Sequence, residues 1–273
     1  MGKRRGFTLI ELLVVIAIIA LLMAILMPSL NRVRNQAKSI SCRARLREWG
    51  LIFKFYTDDY DGYFNEGWGV GETTLWPNAL RPYYKDNWEM LLCPTATRVM
   101  ENDNDWGTFK AATRALDLPG GGEYLYTFSY GINSWTNYMH APRNDRPEEW
   151  FWKNTHNLTD TESKKVSSNN IPVFGDATWH DAWPRHTDTP ALDMDAFGIM
   201  NQGTDEEMNH FCINRHNGFV NMLFMDWSTR NVGLKELWTL KWSRGYKVNG
   251  PWTKAGRVQA EDWPAWLRGF RDY

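Results

Sequence analysis

The chain has 273 residues, of which 43% are hydrophobic and 23% are charged, so it is a folded protein with room for one sizeable domain or two small ones. Its formal net charge of −1 is unevenly divided: residues 1–47 hold nine Lys or Arg and one acid, Glu11, which leaves this segment at +8 and the rest at −9. An acidic body argues against nucleic acid as the main partner, since phosphate binding needs a concentrated basic surface.

The first predicted element is an apolar run at residues 7–27 that contains one charged residue, Glu11. As a helix with a rise of ~1.5 Å per residue it would span about 31 Å, which matches a bilayer hydrocarbon core of roughly 30 Å. A cleaved secretory signal is the alternative, but its apolar core is usually ~7 to 15 residues long and ends at a small-x-small site. The only such triplet nearby, at residues 39–41, lies beyond a basic stretch. The run therefore predicts a membrane-spanning helix.

Glu11 is unusual because a carboxylate at the centre of a membrane helix costs about 2.5 to 3.5 kcal/mol, and less near an interface. One interpretation is that its side chain extends to the interface. The other is that it meets a positive charge, which a cut between Gly6 and Phe7 would create as a new α-amino group. Two opposite unit charges ~4 Å apart attract by roughly 4 kcal/mol at an effective dielectric constant near 20, enough to select one axial register between helices.

The segment KRRGFTLIE at residues 3–11 resembles the leader and cleavage site of type IV prepilins and type II secretion pseudopilins. The resemblance implies that a membrane peptidase cuts after Gly6 on the cytoplasmic side and that the new N-terminal Phe7 is N-methylated. It also implies that Glu11, the fifth residue of the mature chain, acts in assembly. Pro28 matches a helix-kinking proline at the end of the apolar run.

The family resemblance implies an orientation, with the basic leader inside the cell and the body exported. The count of basic residues predicts the reverse, because six Lys or Arg follow the apolar run by residue 47 and three precede it. The implied partners are other pilin or pseudopilin subunits, the prepilin peptidase and methyltransferase, an inner-membrane assembly platform and membrane lipid. The implied location is the inner membrane, with one pass and an extracytoplasmic body, and then a periplasmic pseudopilus or a surface pilus.

A helical pattern continues after Pro28 and predicts one helix from about residue 7 to residue 58, bent near Pro28, whose second half packs on the body. Its basic residues either meet acidic neighbours and lipid headgroups or form a solvated face. The helix ends at DDYDG, residues 58–62, which lacks the ligand spacing of an EF-hand and is interpreted as a stop and turn. The apolar positions of the second half are Leu30, Val33, Ala37, Ile40 and Ala44.

The middle of the chain mixes helix and strand patterns. We predict short helices at residues 75–84 and 106–116, a break at glycines 120–122, and a polar surface loop at 154–170. We predict a strand at 123–130. We predict a second strand at 171–174, and the strand pattern ends at Asp176.

The late segment FCINRHNGFVNMLFMDW, residues 211–227, predicts a hairpin of residues 211–216 and 219–225 around an Asn-Gly type I′ turn. His216, followed after nine residues by Asp226, resembles the C-terminal H-x9-D-G signature of a large group of pilin-like proteins, although Trp227 takes the place of the glycine. The segments SYGIN (129–133), LLCP (91–94) and VFGD (173–176) resemble other parts of that group.

His216, Asp226 and Asp176 are the candidate site in the body. Either they converge on a metal or another ligand, or they are structural, as a buried His–Asp hydrogen bond that fixes the hairpin register or as an Asx turn at Asp226. We favour the structural interpretation and predict no metal and no cofactor. No nucleophile elbow, phosphate loop or HExxH helix accompanies the three residues.

The three cysteines are too few for a disulfide scaffold and lack the paired CxxC spacing of a zinc site. At most one bridge forms within a chain. If the body is exported, Cys42 and Cys93 are the favoured pair, and Cys212 is then a small buried hydrophobe.

The predicted fold is α+β and pilin-like, with a long N-terminal helix packed against an antiparallel β-sheet in a C-terminal globular domain. The predicted organisation is a cleaved leader at 1–6, a membrane and filament-core half-helix at 7–28, an amphipathic half-helix at 29–60 and an exported domain at 61–273. The predicted function is that of a structural subunit, a pilin or pseudopilin of a type IV pilus-like or type II secretion filament, and not of an enzyme.

Two other functions stay open at this level. In a membrane-tethered binding module, the 16 Trp residues would form an exposed platform for polysaccharide, although most Trp side chains are expected in the core of a thin domain. An extracytoplasmic enzyme would rest on His216, Asp176 and Asp226 alone.

Overall fold

The computed structural model describes residues 9–69, 71–96, 98–101, 107–138, 146–195 and 206–273. A long helix, α1 (Leu9–Asp59), is followed by a body with two short helices, α2 (Trp76–Ala79) and α3 (Arg81–Tyr84), and two β-sheets. Several single turns of 3₁₀-helix connect these elements. A long N-terminal helix before sheets that are mostly antiparallel confirms the predicted α+β fold class.

The described part of the body contains eight strands, namely β1 (Arg98–Val99), β2 (Lys110–Asp117), β3 (Glu123–Phe128), β4 (Tyr130–Asn133), β5 (Pro172–Asp176), β6 (Asp181–Ala182), β7 (Phe219–Phe224) and β8 (Thr229–Gly233). The larger sheet has the order β6-β4-β5-β7-β8, and its neighbours are antiparallel except β4 and β6. The smaller sheet has the order β1-β2-β3, with β2 and β3 antiparallel. The strand expected at 171–174 is therefore confirmed as β5, whereas the one expected at 123–130 is divided between β3, which ends at Phe128 in the smaller sheet, and β4, which begins at Tyr130 in the larger one.

Helix α1 has two halves with different surroundings. Residues 9–38 are all exposed, whereas one face of the second half is buried against the body. The 51 residues extend for about 77 Å, so the helix projects well beyond the body. Pro28 lies inside α1 and has no N–H to donate to the carbonyl of Ala24, but the bend expected there stays a prediction.

The buried face of α1 packs on β7, β8 and α3. Trp49 lies at its centre, where its ring contacts Trp76, Tyr84 and Phe174 at centroid distances of 5.3, 5.4 and 5.2 Å. Its indole N–H donates to the carbonyl oxygen of Met90 at 2.7 Å, so the polar atom is also satisfied. The helix is thus anchored by a large aromatic side chain that several elements surround.

The helix predicted at residues 106–116 is wrong, because β2 is a strand. Its alanines favour helix in isolation, but the preference is weak. β2 pairs with β3 from Ala112 opposite Phe128 to Asp117 opposite Glu123, and this ladder outweighs the local preference. Trp106 lies outside the described residues.

The predicted hairpin is wrong in its first arm. Asn217 and Gly218 have φ values of 54° and 90°, which suits a type I′ turn, but residues 211–216 form no strand. The second arm is β7, which already has β5 and β8 as neighbours, so neither of its edges is available to the preceding segment. The hairpin is instead β7 with β8.

Tryptophan side chains fill the interior of the body. Among the 15 Trp residues that the structure describes, eight are buried and seven are partly buried against the core, and none is exposed. Burial of such large side chains gives a thin body enough apolar contact area. An exposed platform of tryptophans for polysaccharide is therefore not favoured.

Candidate functional site

The exposed first half of α1 is an apolar surface that the body does not cover. The helix is long and apolar enough to cross a membrane, and its most apolar window has no buried residue. Isolated exposed apolar side chains are common, but a continuous apolar rod needs lipid or protein around it. This half of α1 is therefore the candidate assembly surface, defined as residues 9–27.

Glu11 lies in the first turn of α1, where the positive end of the helix dipole favours a carboxylate. Gly6 and Phe7 lie outside the described residues. Cleavage after Gly6 and pairing of Glu11 with the amine of Phe7 therefore stay predictions.

A second candidate is a cluster of four buried side chains, Cys42, Cys93, Asp176 and His216. One ligand-type atom from each lies within 4.8 Å of the others. Nε2 of His216 is 3.1 Å from Oδ2 of Asp176 and 3.5 Å from Sγ of Cys93, and Sγ of Cys42 donates to Oδ1 of Asp176 at 3.4 Å. We call these four residues the buried cluster.

Four separate segments build the buried cluster. Cys42 faces the body from α1, Cys93 follows a 3₁₀ turn, Asp176 ends β5, and His216 precedes the Asn-Gly turn before β7. Because β5 and β7 are adjacent and antiparallel, the end of β5 lies beside the start of β7. The packing of α1 on the sheet then places Cys42 beside the carboxylate of Asp176.

Two groups outside the cluster support Asp176. The backbone N–H of Asn221 donates to its Oδ2 at 2.8 Å, and Nη1 of Arg215 lies 3.5 Å from its Oδ1. The Arg215 guanidinium is itself buried and donates to the carbonyl oxygens of Thr108 and Ser129 at 2.9 and 2.6 Å. The carboxylate is therefore held in place and partly neutralised.

These contacts shift the protonation of the cluster. Burial alone would raise the pKa of Asp176, but the positive charges of His216 and Arg215 hold it well below its usual value. Burial alone would lower the pKa of His216, but the Asp176 carboxylate raises it to about 9. Burial would raise the pKa of Cys93, but hydrogen bonds with Cys42 and His216 and the charge of Arg215 lower it to about 6. The charged forms of Asp176, His216 and Cys93 are thus favoured, whereas burial raises the pKa of the Cys42 thiol well above its usual value.

Asp226, the third residue of the sequence-based candidate site, does not join the cluster. Its exposed carboxylate accepts hydrogen bonds from the N–H and the hydroxyl of Ser228 at 3.0 and 2.6 Å, as in an Asx turn. The following residue, Trp227, has a φ of 64°, which is uncommon for a residue with a side chain. Asp226 therefore closes the turn between β7 and β8.

The sequence analysis missed the roles of Arg215 and Tyr130 and treated the cysteines apart from the His–Asp pair. The hydroxyl of Tyr130 donates to Sγ of Cys42 at 3.3 Å. The three cysteines are free thiols in the structure, and the disulfide between Cys42 and Cys93 stays a prediction. The useful signal was that Cys93 and Asp176 each sit at the end of an apolar stretch.

Comparison with known proteins gives two matches. Residues 1–27 match the family model for the prokaryotic N-terminal methylation motif. The chain is also similar to the type IV wide pilus major component PilA4 of Thermus thermophilus, with 43% identity over 63 residues, which are 23% of this chain and 48% of that protein. The chain thus spans about half the length of the curated relative that it matches, and no solved structure matches it.

The two matches agree with the geometry of α1. The methylation motif coincides with the apolar half of the helix that the body leaves uncovered. The N-terminal segment of the chain is thus similar to the methylation motif of prokaryotic prepilins and to a type IV pilus component.

Proposed function

We propose that the protein is a structural subunit of a type IV pilus-like or type II secretion filament. The observation that carries the proposal is the uncovered apolar half of α1, which bears the methylation motif and continues into a half anchored in the body. Such a rod is stable only in lipid or in a bundle of similar rods. We propose no catalytic role for the buried cluster. We also propose that the body is related to the pilin-like proteins with the H-x9-D-G signature, which the spacing of His216 and Asp226 resembles.

The proposed life cycle begins in the membrane. The prepilin peptidase cuts after Gly6, a methyltransferase modifies Phe7, and an assembly platform in the inner membrane receives the subunit. The exposed residues Arg32, Arg34 and Lys38 then lie just beyond the apolar segment, where they meet anionic lipid headgroups. The body lies on the extracytoplasmic side.

Assembly moves the apolar half of α1 from lipid into a bundle of helices. Lipid tails are as apolar as the side chains of the bundle, so the move gains little from the hydrophobic effect and depends on packing and polar contacts. In this setting the amine of Phe7 and the carboxylate of Glu11 of a neighbouring subunit form a pair of roughly 4 kcal/mol at ~4 Å. The pair fixes the axial register, while helix packing supplies most of the association.

The test truncates the Glu11 side chain to a methyl group, as Glu11→Ala, in the native cell envelope. The variant should insert in the membrane and lose its leader, but it should be depleted at least tenfold from the sheared filament fraction, because a loss of about 1.4 kcal/mol already lowers association tenfold. Immunoblots of membrane and filament fractions measure the ratio.

The matched control is Glu48→Ala, which removes an exposed acid from the same helix outside the apolar segment. This variant should enter filaments at the normal level. Mass spectrometry of the filament subunit should find a chain that begins with methylated Phe7. Normal incorporation of the Glu11 variant, or a wild-type subunit that retains Met1, would contradict the proposal.

A further inference from the structure

The buried cluster has the composition and geometry of a metal site. We propose that Cys42, Cys93, Asp176 and His216 together bind one divalent cation of the zinc class. Two thiolates, an imidazole and a carboxylate are all established zinc ligands, and four protein ligands make a closed structural site. Two sulfur ligands favour zinc over calcium or magnesium, which prefer oxygen.

The spacing of the ligand atoms fits a tetrahedron. With a Zn–S bond of about 2.3 Å and Zn–N and Zn–O bonds of about 2.1 Å, the edges of the tetrahedron are roughly 3.4 to 3.8 Å. The three contacts between His216 and Cys93, Cys42 and Asp176, and His216 and Asp176 measure 3.5, 3.4 and 3.1 Å. These three distances lie within a few tenths of an ångström of the tetrahedral edges, and the other ligand atoms lie within 4.8 Å of one another.

The electrostatics of the site also fit a bound cation. Two thiolates and one carboxylate carry three negative charges, which a divalent cation and the buried guanidinium of Arg215 balance. The hydroxyl of Tyr130 donates to Cys42, and the N–H of Asn221 donates to Asp176. Such donors outside the coordination sphere orient metal ligands.

The cation would join α1 to the body. Its ligands come from the helix, from the segment before β1, from the end of β5 and from the turn before β7. All four side chains are buried, so the cation enters while the chain folds, and the protons of the thiols and of the His216 imidazolium leave to solvent. This cross-link is independent of the proposed filament function, since it lies outside the exposed half of α1.

The test uses the full chain, extracted in detergent without chelators or added metal. We expect about one zinc ion per chain by mass spectrometry of the metal. X-ray absorption at the zinc edge should show two sulfurs at about 2.3 Å and two nitrogen or oxygen atoms at about 2.0 to 2.1 Å. Protein from cells grown with Co²⁺ should show thiolate-to-cobalt charge-transfer bands.

Variants assign the metal to the cluster. Cys42→Ser and His216→Gln should lower the bound zinc at least tenfold. Cys212→Ser is the matched control, because Cys212 is an equally buried free thiol outside the cluster, and it should retain the metal. Where a variant fails to fold, the X-ray absorption spectrum of the wild-type protein still shows whether the zinc has two sulfur ligands.

Three results would overturn the proposal. The first is a wild-type chain with less than about a tenth of an equivalent of zinc that also binds none when it is produced with zinc present. The second is a disulfide between Cys42 and Cys93 in protein isolated from its own envelope, which would consume both sulfur ligands. The third is a coordination shell without sulfur.

Discussion

Gly131 lies where β4 passes too close to a neighbouring segment for any side chain. A Cβ atom at this position would lie 2.4 Å from the carbonyl oxygen of Trp179 and 2.8 Å from Cβ of Ala177. Trp179 and Ala177 belong to the connection between β5 and β6, the two strands that flank β4 in the larger sheet. The glycine therefore permits a close approach of two backbone segments that a larger residue would separate.

Gly131→Ala should destabilise the folded chain by about 3 kcal/mol, because a backbone carbonyl cannot move aside as a flexible side chain does. Urea unfolding of the full chain in detergent, followed by tryptophan fluorescence, measures the change. Gly269→Ala is the control, since no atom lies within 4 Å of the added methyl group, and its effect should be small. Equal effects of the two substitutions would refute this account.

The two candidate sites differ in how far single residues could be predicted from the sequence. The N-terminal motif is readable because Gly6, Phe7 and Glu11 lie within six positions of one another. The buried cluster is not, because Cys42 and Asp176 are 134 positions apart and meet only when α1 packs on the sheet. Local spacing is a reliable guide for the first kind of site and a poor one for the second.

At the level of elements, α1 is predictable because its apolar positions recur with the helical period and its backbone hydrogen bonds are local. Strand pairing is different. β2 contains alanines, which favour helix. The apolar pattern of β7 is the same whether it pairs with the segment before it or with β8 after it. Which pairing forms depends on distant strands, so the helix at 106–116 and the first hairpin arm were predicted wrongly.

Trp49 lies at the centre of the contact between α1 and the body. Trp49→Ala should lower the free energy of unfolding by about 4 kcal/mol, since it removes a fully buried ring and leaves the carbonyl of Met90 without its donor. Urea titration of the full chain in detergent gives the difference from the wild type.

Phe55→Ala is the matched control for this substitution, because Phe55 lies on the same helix with 57% of its surface exposed. It should cost less than about 1 kcal/mol. A comparable loss in both variants would show that α1 does not attach through the face that carries Trp49.

For the molecule as a whole, the body holds ionisable groups with shifted pKa values, which lie outside the apolar half of α1. Two histidines and two acids of the body have shifted pKa values that act on its response to acid. Burial lowers the pKa of His180 and of His210 to about 4. Burial also raises the pKa of Glu207 to about 7 and that of Asp188 well above its usual value.

The two pairs of buried groups oppose each other as the pH falls. An unfolded histidine has a pKa near 6.5. Since the folded value is lower, each histidine contributes stability that is complete above about pH 6.5 and is lost as the pH falls toward 4. The acids bind protons more readily in the folded chain, so below about pH 7 they add stability. The wild-type curve of stability against pH should therefore be shallow over this range.

A single substitution separates the histidine contribution from this cancellation. The ring of His180 is packed among Trp68, Phe128 and Trp179, and in His180→Gln the titrating group is gone. Between about pH 7 and pH 4 the free energy of unfolding of the wild type should fall by on the order of 3 kcal/mol relative to that of His180→Gln. This change does not depend on how much the two proteins differ in stability at pH 7. Urea unfolding at a series of pH values measures the two curves. Parallel curves for the wild type and His180→Gln would mean that His180 is protonated inside the folded body, and the buried acids would then have to supply its counter-charge.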